Sequence, residues 1–157
     1  MQTFLFTSGT LRVAVRWKDG KAHEILINPA RPGISNENPP PEVERFFAQL
    51  GDYLAGKEVS FSLPINWERL TPFARKVSKA LARTRCGQML SYAELARRAG
   101  NPKAARAVGR VMARNPFPLV IPCHRVIGSN GSLTGFGGGL GLKARLLELE
   151  KGMISSR

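Results

Sequence analysis

Apolar and polar residues alternate near the start of the chain, which is the period of a half-buried β-strand. Every second residue from Leu11 to Trp17 is large and apolar, and the residues between them are mostly basic. Asp19-Gly20 follows, a dipeptide typical of a type I′ hairpin, and the alternation resumes at Ile25. With Phe4-Leu5-Phe6 ahead of them, these segments predict a three-stranded antiparallel sheet.

Helical spacing replaces this alternation after a connection rich in proline. Residues 28–41 hold five prolines and are expected to be exposed. From Val43 to Leu54 the apolar residues recur as on one face of a helix, which predicts a helix that covers the sheet. The alternation from Val59 to Leu63 predicts one more short extended segment. We find no convergent chemistry in this half and interpret it as a scaffold.

The second half of the chain is helical in pattern and has clear start signals. Thr71-Pro72 combines a hydroxyl N-cap with proline at the first helical position. Ser91, with a glutamate three residues later, predicts a capping box for a second helix, which would end at Gly100. A third helix is predicted over residues 102–114, because Asn115-Pro116 would stop it.

These elements together predict the fold class and the domains. The last helix is expected to run from Gly139-Leu140 to near Glu150. The second and third helices are joined by a tight turn with a glycine and form a helix-turn-helix candidate. We therefore predict an α+β fold in which residues 1–66 form a small antiparallel sheet with a helix. This domain would pack on a mostly helical, winged-helix-like domain at residues 67–157.

Length and composition exclude several classes of protein. The chain has 157 residues, 43% of them apolar, which suits one soluble domain or two small ones. No apolar run could span a bilayer, and the first ten residues lack the features of a secretory signal. We expect no membrane partner and a cytoplasmic location, or a nuclear one in a eukaryote. Two cysteines and two histidines are too few for a disulfide scaffold or a zinc module, so no metal is expected.

Basic residues exceed acidic ones by 13, and the excess lies almost entirely in one half of the chain. Residues 1–75 carry 9 basic and 8 acidic side chains, whereas residues 76–157 carry 15 and 3. A run of like charges is usually only a solvated surface, but a solvated surface would not require the excess charge to lie in one half of the chain. The asymmetry favours a nucleic-acid-binding surface in the C-terminal half.

The predicted third helix has the features of a DNA-reading element. Its basic residues are three or four positions apart and would share one face: Lys103, Arg106, Arg110 and Arg114. Small residues, which let a backbone approach a groove closely, line its first turns: Ala104, Ala105, Ala107 and Gly109. The small residues would also suit tight helix packing, and the basic stripe could be a solvated face.

The segment Pro122-Cys123-His124-Arg125-Val126 places a cysteine beside a histidine and an arginine. Neighbouring positive charge, or a base within reach, favours the thiolate, which is the reactive form of cysteine. Glycine-rich residues 128–139 follow, and Glu150 could return a carboxylate to the histidine. A lone cysteine is, however, more often a small buried apolar residue. Cys86 has no base nearby in the sequence, and His23 lies in a predicted strand, so we assign them no chemistry.

Together these residues resemble a known family. Ile121-Pro122-Cys123-His124-Arg125-Val126 is similar to the active-site signature of the O6-alkylguanine-DNA alkyltransferases. Four further blocks lie at that family's spacing: Ser91-Tyr92, residues 101–109, Asn115-Pro116 and Gly138-Gly139-Leu140. The resemblance covers about residues 71–151, whereas the N-terminal half fits only loosely, as a sheet-plus-helix module.

The resemblance implies a single-turnover DNA repair enzyme. Cys123 would take the alkyl group from O6 of guanine, and from O4 of alkylthymine, and keep it as a thioether. His124, acting through a water and oriented by Glu150, would remove the thiol proton. Asn115 resembles the hinge residue that ties the recognition helix to the active-site loop. No cofactor is implied, and each molecule would act once.

The implied partner is double-stranded DNA containing O6-alkylguanine, bound by a monomer through the minor groove. Arg106 resembles the finger that replaces a flipped-out base, and the residues around it would contact DNA: Lys103, Ala104, Ala105, Gly109, Arg110 and Arg114. Tyr92 resembles the tyrosine that helps to turn the nucleotide out, and the Val126 carbonyl would accept from the guanine amine. Phe136 and Gly137 would also contact substrate, at positions where the family often has tyrosine and serine.

Other functions explain less of the sequence. An alkyltransferase-like protein that binds lesions without transfer is the main alternative, but that group commonly has tryptophan at the position of Cys123. A small basic chromatin-type protein would leave the cysteine and His124 without a purpose. A cysteine hydrolase would need an acyl pocket that nothing in the sequence indicates. Alkyl transfer to Cys123 is therefore the prediction.

Overall fold

The computed structural model of the protein describes residues 1–133, 136, 139–155 and 157. These residues form two compact units. The first comprises Met1–Arg69 and Pro116–Val120, and the second comprises Leu70–Asn115 and Ile121–Arg157. The predicted division into domains at residues 1–66 and 67–157 stays a prediction, because a compact unit need not fold independently.

The first unit is built on an antiparallel sheet with strand order β1–β2–β3. Its strands are β1 (Gln2–Ser8), β2 (Leu11–Lys18) and β3 (Lys21–Ile27). Asp19 and Gly20 join β2 to β3 with φ angles of 52° and 74°, as a type I′ turn requires. The predicted sheet is confirmed with one difference. Ala14, on the polar side of β2, is also fully buried, and it lies between Leu5 and Leu26 on the flanking strands.

Helix α1 (Pro41–Leu54) covers this sheet with the apolar face predicted for it. The ring centroids of Phe47 on α1 and Phe6 on β1 are 5.7 Å apart. Buried residues recur along the helix at Val43, Phe46, Leu50 and Tyr53. Pro116, which enters the unit from much later in the chain, accepts a hydrogen bond from the Ile25 N–H at 2.8 Å.

The predicted extended segment at residues 59–63 is not a strand. The Gln49 side chain binds the Ser62 N–H at 3.1 Å, so this amide is satisfied without a ladder. Phe61 packs edge-on against Phe46 with centroids 5.4 Å apart. Aromatic packing on α1 therefore explains the apolar residues that alternate here.

The second unit begins with two capped helices, α2 (Pro72–Ala82) and α3 (Tyr92–Arg98). Thr71 Oγ1 accepts the Ala74 N–H at 3.1 Å, and Ser91 Oγ accepts the Glu94 N–H at 3.0 Å. Both predicted N-caps are confirmed. A Schellman turn ends α3, with N–H···O=C bonds of 3.0 Å from Gly100 to Arg97 and from Asn101 to Ala96.

Helix α4 (Ala105–Ala113) begins three residues later than predicted. The Ala104 N–H bonds to the Asn101 carbonyl at 3.1 Å, which closes a turn over Pro102 and Lys103. The fixed φ of proline suits such a turn as well as the first turn of a helix, so the sequence did not distinguish the two. Lys103 therefore precedes α4, and Arg114 is its C-cap.

The last helix, α5, also differs from its predicted bounds. Two short strands precede it in the sequence: β4 (Leu90–Ser91) pairs in parallel with β5 (Val126–Ile127). Strand β5 directly follows a 3₁₀ turn at Cys123–Arg125. Helix α5 (Leu140–Ser155) continues past the predicted end near Glu150, because buried Met153 extends its inward face by another turn.

The sheet and the helices confirm the predicted α+β class. Across the part of the chain that the structure describes, no helix is long and apolar enough to cross a bilayer.

Candidate active site

Cys123 is the first residue of the 3₁₀ turn that precedes β5. Its N–H bonds to the Ile121 carbonyl at 2.7 Å, and the Arg125 N–H bonds to the Pro122 carbonyl at 3.0 Å. The pairing of β5 with β4 anchors the far end of the turn. Only 4% of Cys123 is exposed, so the thiol is held in a sheltered place on a well-fixed backbone.

Burial raises the pKa of the Cys123 thiol, because surroundings of low polarity disfavour the thiolate. Two neighbours act in the opposite direction, the Asn115 side chain by a hydrogen bond and Lys143 by its charge. Burial dominates, so the resting group is a neutral thiol. A base must remove its proton before the sulfur becomes a strong nucleophile.

Asn115 connects the end of α4 to the cysteine. It directly follows the C-cap Arg114, and its Nδ2 donates to the Ile121 carbonyl at 2.9 Å. The same side chain hydrogen-bonds Cys123. A displacement at the end of α4 would therefore be transmitted to the Cys123 thiol through Asn115.

His124, the residue after Cys123, forms a buried pair with Glu150. His124 Nε2 lies 2.5 Å from Glu150 Oε2, and neither side chain is more than 1% exposed. Burial lowers the pKa of His124, although the nearby carboxylate of Glu150 works against that shift. Burial alone would raise the pKa of Glu150, but hydrogen bonds from His124 and Arg125 lower it to about 2. At neutral pH an ionised carboxylate therefore orients a neutral imidazole that can accept a proton.

Arg125 occupies the other side of Glu150, with Nε 2.8 Å from Oε1. Its Nη1 donates to the carbonyl and the hydroxyl of Thr84, both at 3.0 Å, and Nη2 lies 3.4 Å from the Cys86 sulfur. The Gly87 N–H also donates to Oε1 of Glu150, at 2.9 Å. Sequence reasoning missed this network, because its two halves are about 40 to 60 positions apart and no local pattern links them.

Lys143 is a second buried charge that sequence reasoning missed. It is fully buried, and its Nζ donates to the Val126 carbonyl at 2.6 Å. Burial lowers the pKa of Lys143, while Cys123 acts in the opposite direction. A signal was present: Lys143 and Glu150 are seven positions apart and share the buried face of α5 with Leu146. Charged residues on such a face are rarely buried without a specific partner.

The structure describes three of the four substrate residues implied by the resemblance: Tyr92, Val126 and Phe136. Tyr92 opens α3, and a β-carbon on Gly109 of α4 would be 3.9 Å from its Cδ1. The ring therefore lies beside the small residues of α4. Phe136 is buried, with 8% exposed, and its carbonyl accepts the Gly139 N–H at 3.0 Å. Gly137 lies outside the described residues.

The predicted DNA contacts surround α4. Arg106 and Arg110 are exposed on the helix, and Lys103 and Arg114 are exposed before and after it. The small residues between them are half-buried: Ala104, Ala105 and Gly109. The helix contains no acidic residue, so its outer surface carries basic side chains separated by small ones.

Cys123, His124 and Glu150 could supply a nucleophile, a base and an orienting carboxylate. Within residues 1–133, 136, 139–155 and 157, no group of three or more histidine, cysteine, aspartate or glutamate side chains could hold a metal ion. The arrangement suits transfer of a group to sulfur.

Comparison with protein families gives one match that covers half of the chain. Residues 72–152 match the family described as 6-O-methylguanine DNA methyltransferase, DNA binding domain. Similar proteins include the constitutive methylated-DNA–protein-cysteine methyltransferase of Bacillus subtilis, 48% identical over 104 residues, which are 66% of this chain and 62% of that protein. The enzyme of the same name from Mycolicibacterium paratuberculosis is 46% identical over 127 residues, 78% of this chain and 73% of that protein. A Methanosarcina mazei relative is aligned over 65% of its length, so the chain spans less than two thirds of two of these three relatives.

Solved structures resemble the chain over nearly its whole length. Mycobacterium tuberculosis OGT in complex with DNA has a TM-score of 0.81 and 33% identity, and the match covers 98% of this chain and 94% of that one. The O6-methylguanine-DNA methyltransferase of Pyrococcus kodakaraensis has a TM-score of 0.62 and 25% identity, over 95% and 98% of the two chains.

Proposed function

Since this chain belongs to the 6-O-methylguanine DNA methyltransferase family, we propose that it repairs DNA by moving the alkyl group of O6-alkylguanine to Cys123. The observation that carries the proposal is the buried pair of His124 and Glu150, 2.5 Å apart, with His124 next in sequence to the buried Cys123. These groups provide an acceptor and the means to deprotonate it, and nothing that would release a bound product.

The chemical step is a displacement at the alkyl carbon. The Cys123 sulfur forms a bond to this carbon as the bond from carbon to O6 breaks, and the electron pair stays on the guanine. The thiol proton passes through a water to His124 Nδ1, because Nε2 faces Glu150. The proton held by His124 then passes to the guanine anion, which becomes an ordinary base. The thioether has no comparable route back to a thiol, so each molecule acts once.

The target must leave the double helix to reach this sulfur. O6 of guanine takes part in base pairing, and the thiol is buried rather than exposed on a projecting loop. Extruding a base costs a few kcal/mol, and least for a mispaired lesion. The exposed Arg106 on α4 would enter the stack in place of the lost base. The small residues around it would let α4 lie in the minor groove.

The extruded base would lie between Tyr92 and the cysteine turn. Tyr92 would donate a hydrogen bond to the purine ring. The Val126 carbonyl already accepts from Lys143 at 2.6 Å, so the guanine amine would use its second lone pair. Phe136 would contribute an aromatic contact without a hydroxyl. Asn115 would couple the seating of α4 to the thiol through its bond to the Ile121 carbonyl.

The test is incubation with a duplex that carries one O6-methylguanine, followed by mass measurement of the intact protein and its peptides. One methyl group should appear per molecule, on the peptide of Cys123. The peptide of Cys86 is the internal control, because this second cysteine is also buried and should stay unmodified. Cys123→Ala should bind the duplex without gaining mass. Repeated turnover, or tight binding of the lesion by the wild-type protein without methylation, would overturn the proposal.

A further inference from the structure

The turn at residues 84–87 encloses the side of the Glu150 carboxylate that faces away from His124. Oε1 accepts the Gly87 N–H at 2.9 Å and Arg125 Nε at 2.8 Å. Oε2 then lies 2.5 Å from His124 Nε2. It also lies 3.3 Å from Arg125 Nη2. Thr84 holds Arg125 through two contacts of 3.0 Å. The orientation of Glu150 is therefore set from outside its own helix.

Gly87 makes this contact possible because it has no side chain. Its φ is +92°, and a β-carbon would lie 2.2 Å from Ile154 Cδ1 and 3.3 Å from the Glu150 carbonyl oxygen. The first neighbour is the tip of an exposed side chain, which can rotate away. The second is backbone of α5, which would have to shift by a few tenths of an ångström. Ile154 and Glu150 both belong to α5, so a methyl group at Gly87 would press on the side chain of the first and on the backbone of the second.

The positive φ alone does not require this close approach. Gly56, in the first unit, has the same φ of +92°, and a β-carbon there would meet nothing within 4 Å. A second contact also joins the turn to the end of the chain, since Arg157 Nη2 donates to the Cys86 carbonyl at 2.7 Å. The approach at Gly87 thus belongs to the packing of this turn on α5.

We propose that Gly87 is a positioning residue for the transfer reaction, because the 84–87 turn sets the position of Glu150 against His124. A methyl group at this position would press on the Glu150 carbonyl and displace the Gly87 N–H, so the Glu150 carboxylate would move relative to the imidazole. His124 would then lose the group that orients it and strengthens it as a base. The inference rests on the proposed alkyl transfer and assigns a further residue to it.

The test compares Gly87→Ala with Gly56→Ala. Both substitutions place alanine at a φ of +92°, so both carry the same backbone strain, but only the first meets α5. Gly87→Ala should slow methyl transfer about tenfold, since a misplacement of about 1 Å can cost about a hundredfold in rate and the shift expected here is smaller. Gly56→Ala should leave the rate unchanged. Ile154→Ala removes the two carbon atoms closest to the new methyl group but leaves the Glu150 carbonyl in place, so the double variant should recover part of the lost rate.

The pH profile separates positioning from general destabilisation. The charged and titratable groups that face His124 are Glu150 and Lys143 from α5 and Arg125 from the 3₁₀ turn. With Glu150 displaced, the imidazole becomes a weaker base. The plateau of rate against pH should fall, and its acidic limb should move to lower pH. A variant that is merely less stable would lose rate equally at every pH and keep the limb in place.

A second readout does not depend on transfer. In the free protein, nitrogen-15 spectra of the His124 ring should show a hydrogen bond from Nε2 in the wild type that weakens in Gly87→Ala and partly returns in the double variant. Thr84→Val gives a test without backbone strain. It removes one acceptor from Arg125 and should slow transfer in the same direction by a smaller factor.

The outcomes distinguish this inference from the proposed function. If the wild-type protein does not methylate Cys123, the function is wrong, and the ring spectra still report whether Gly87 positions Glu150. The inference itself is overturned by an equal loss of rate in Gly87→Ala and Gly56→Ala, by no recovery with Ile154→Ala, or by unchanged His124 spectra.

Discussion

Replacing Glu150 by glutamine removes one charge from the centre of the buried network and should destabilise the protein measurably. The carboxylate accepts hydrogen bonds from His124, Arg125 and Gly87. Burial raises its pKa, but the hydrogen bonds and charges of His124 and Arg125 outweigh burial and bring the pKa from 4.5 down to about 2. A shift of that size corresponds to about 3 kcal/mol of stability at pH 7. Glu150→Gln keeps the shape but leaves the buried guanidinium of Arg125 without a counter-charge, so we expect a loss of about 3 kcal/mol.

The sign of the pH dependence follows from the direction of the shift. The folded pKa of Glu150 lies below the unfolded one, so the stabilisation is complete above about pH 4.5 and is lost as the pH falls towards 2. At pH 3 the difference between wild type and Glu150→Gln should therefore shrink to about 1.5 kcal/mol.

Urea unfolding at pH 7 and pH 3 measures both values. Glu148→Gln is the matched control, because it makes the same change on an exposed residue of the same helix. It should alter stability by less than about 0.5 kcal/mol. A difference for Glu150→Gln below about 1 kcal/mol at pH 7, or one that does not change with pH, would refute the view that buried hydrogen bonds hold this carboxylate ionised.

Three further predictions concern the thiol and the DNA surface. The rate of Cys123 alkylation by iodoacetamide should still be rising at the ordinary thiol pKa of 9.0, because burial raises the pKa; a plateau near neutral pH would contradict this. Asn115→Ala should slow that alkylation, since the Asn115 side chain lowers the pKa of the Cys123 thiol. It should also reduce stability by about 1 kcal/mol, since the Ile121 carbonyl loses its donor. Unchanged rate and stability would show that the contact is unimportant. Arg106→Ala should slow repair of a duplex more than transfer from free O6-benzylguanine. Arg45→Ala removes the same charge from an exposed position on α1 and should affect neither. Equal losses in both assays for Arg106→Ala would exclude a role in base extrusion.

Local patterns predicted the elements whose stabilising contacts lie close together in sequence. The hairpin at Asp19-Gly20 depends on two adjacent residues with positive φ, and the caps at Thr71 and Ser91 depend on an amide three positions later. Such contacts leave a signature within a few residues. The start of α4 was harder, because Pro102 fits the observed turn and the predicted helix equally well.

The candidate site was only partly readable for the same reason. The neighbours in sequence, Cys123 and His124, suggested the chemistry, and the carboxylate of Glu150 was expected to return to the histidine. The structure brings His124 and Glu150 together, with Nε2 2.5 Å from Oε2. The contacts that hold the carboxylate come from Thr84 and Gly87, on a turn that carries no motif of its own. Packing between distant segments decides that part of the site, and a single sequence does not report it.

The shelter around Cys123 also governs how long an unused molecule survives. An exposed thiolate would be consumed by peroxides and stray electrophiles, which attack sulfur whether or not any DNA is damaged. A neutral thiol of which only 4% is exposed reacts slowly with both. For a protein proposed to act once, the lifetime is then set by encounters with its own lesion rather than by the oxidants of the cell, and a standing pool can be kept ready between exposures.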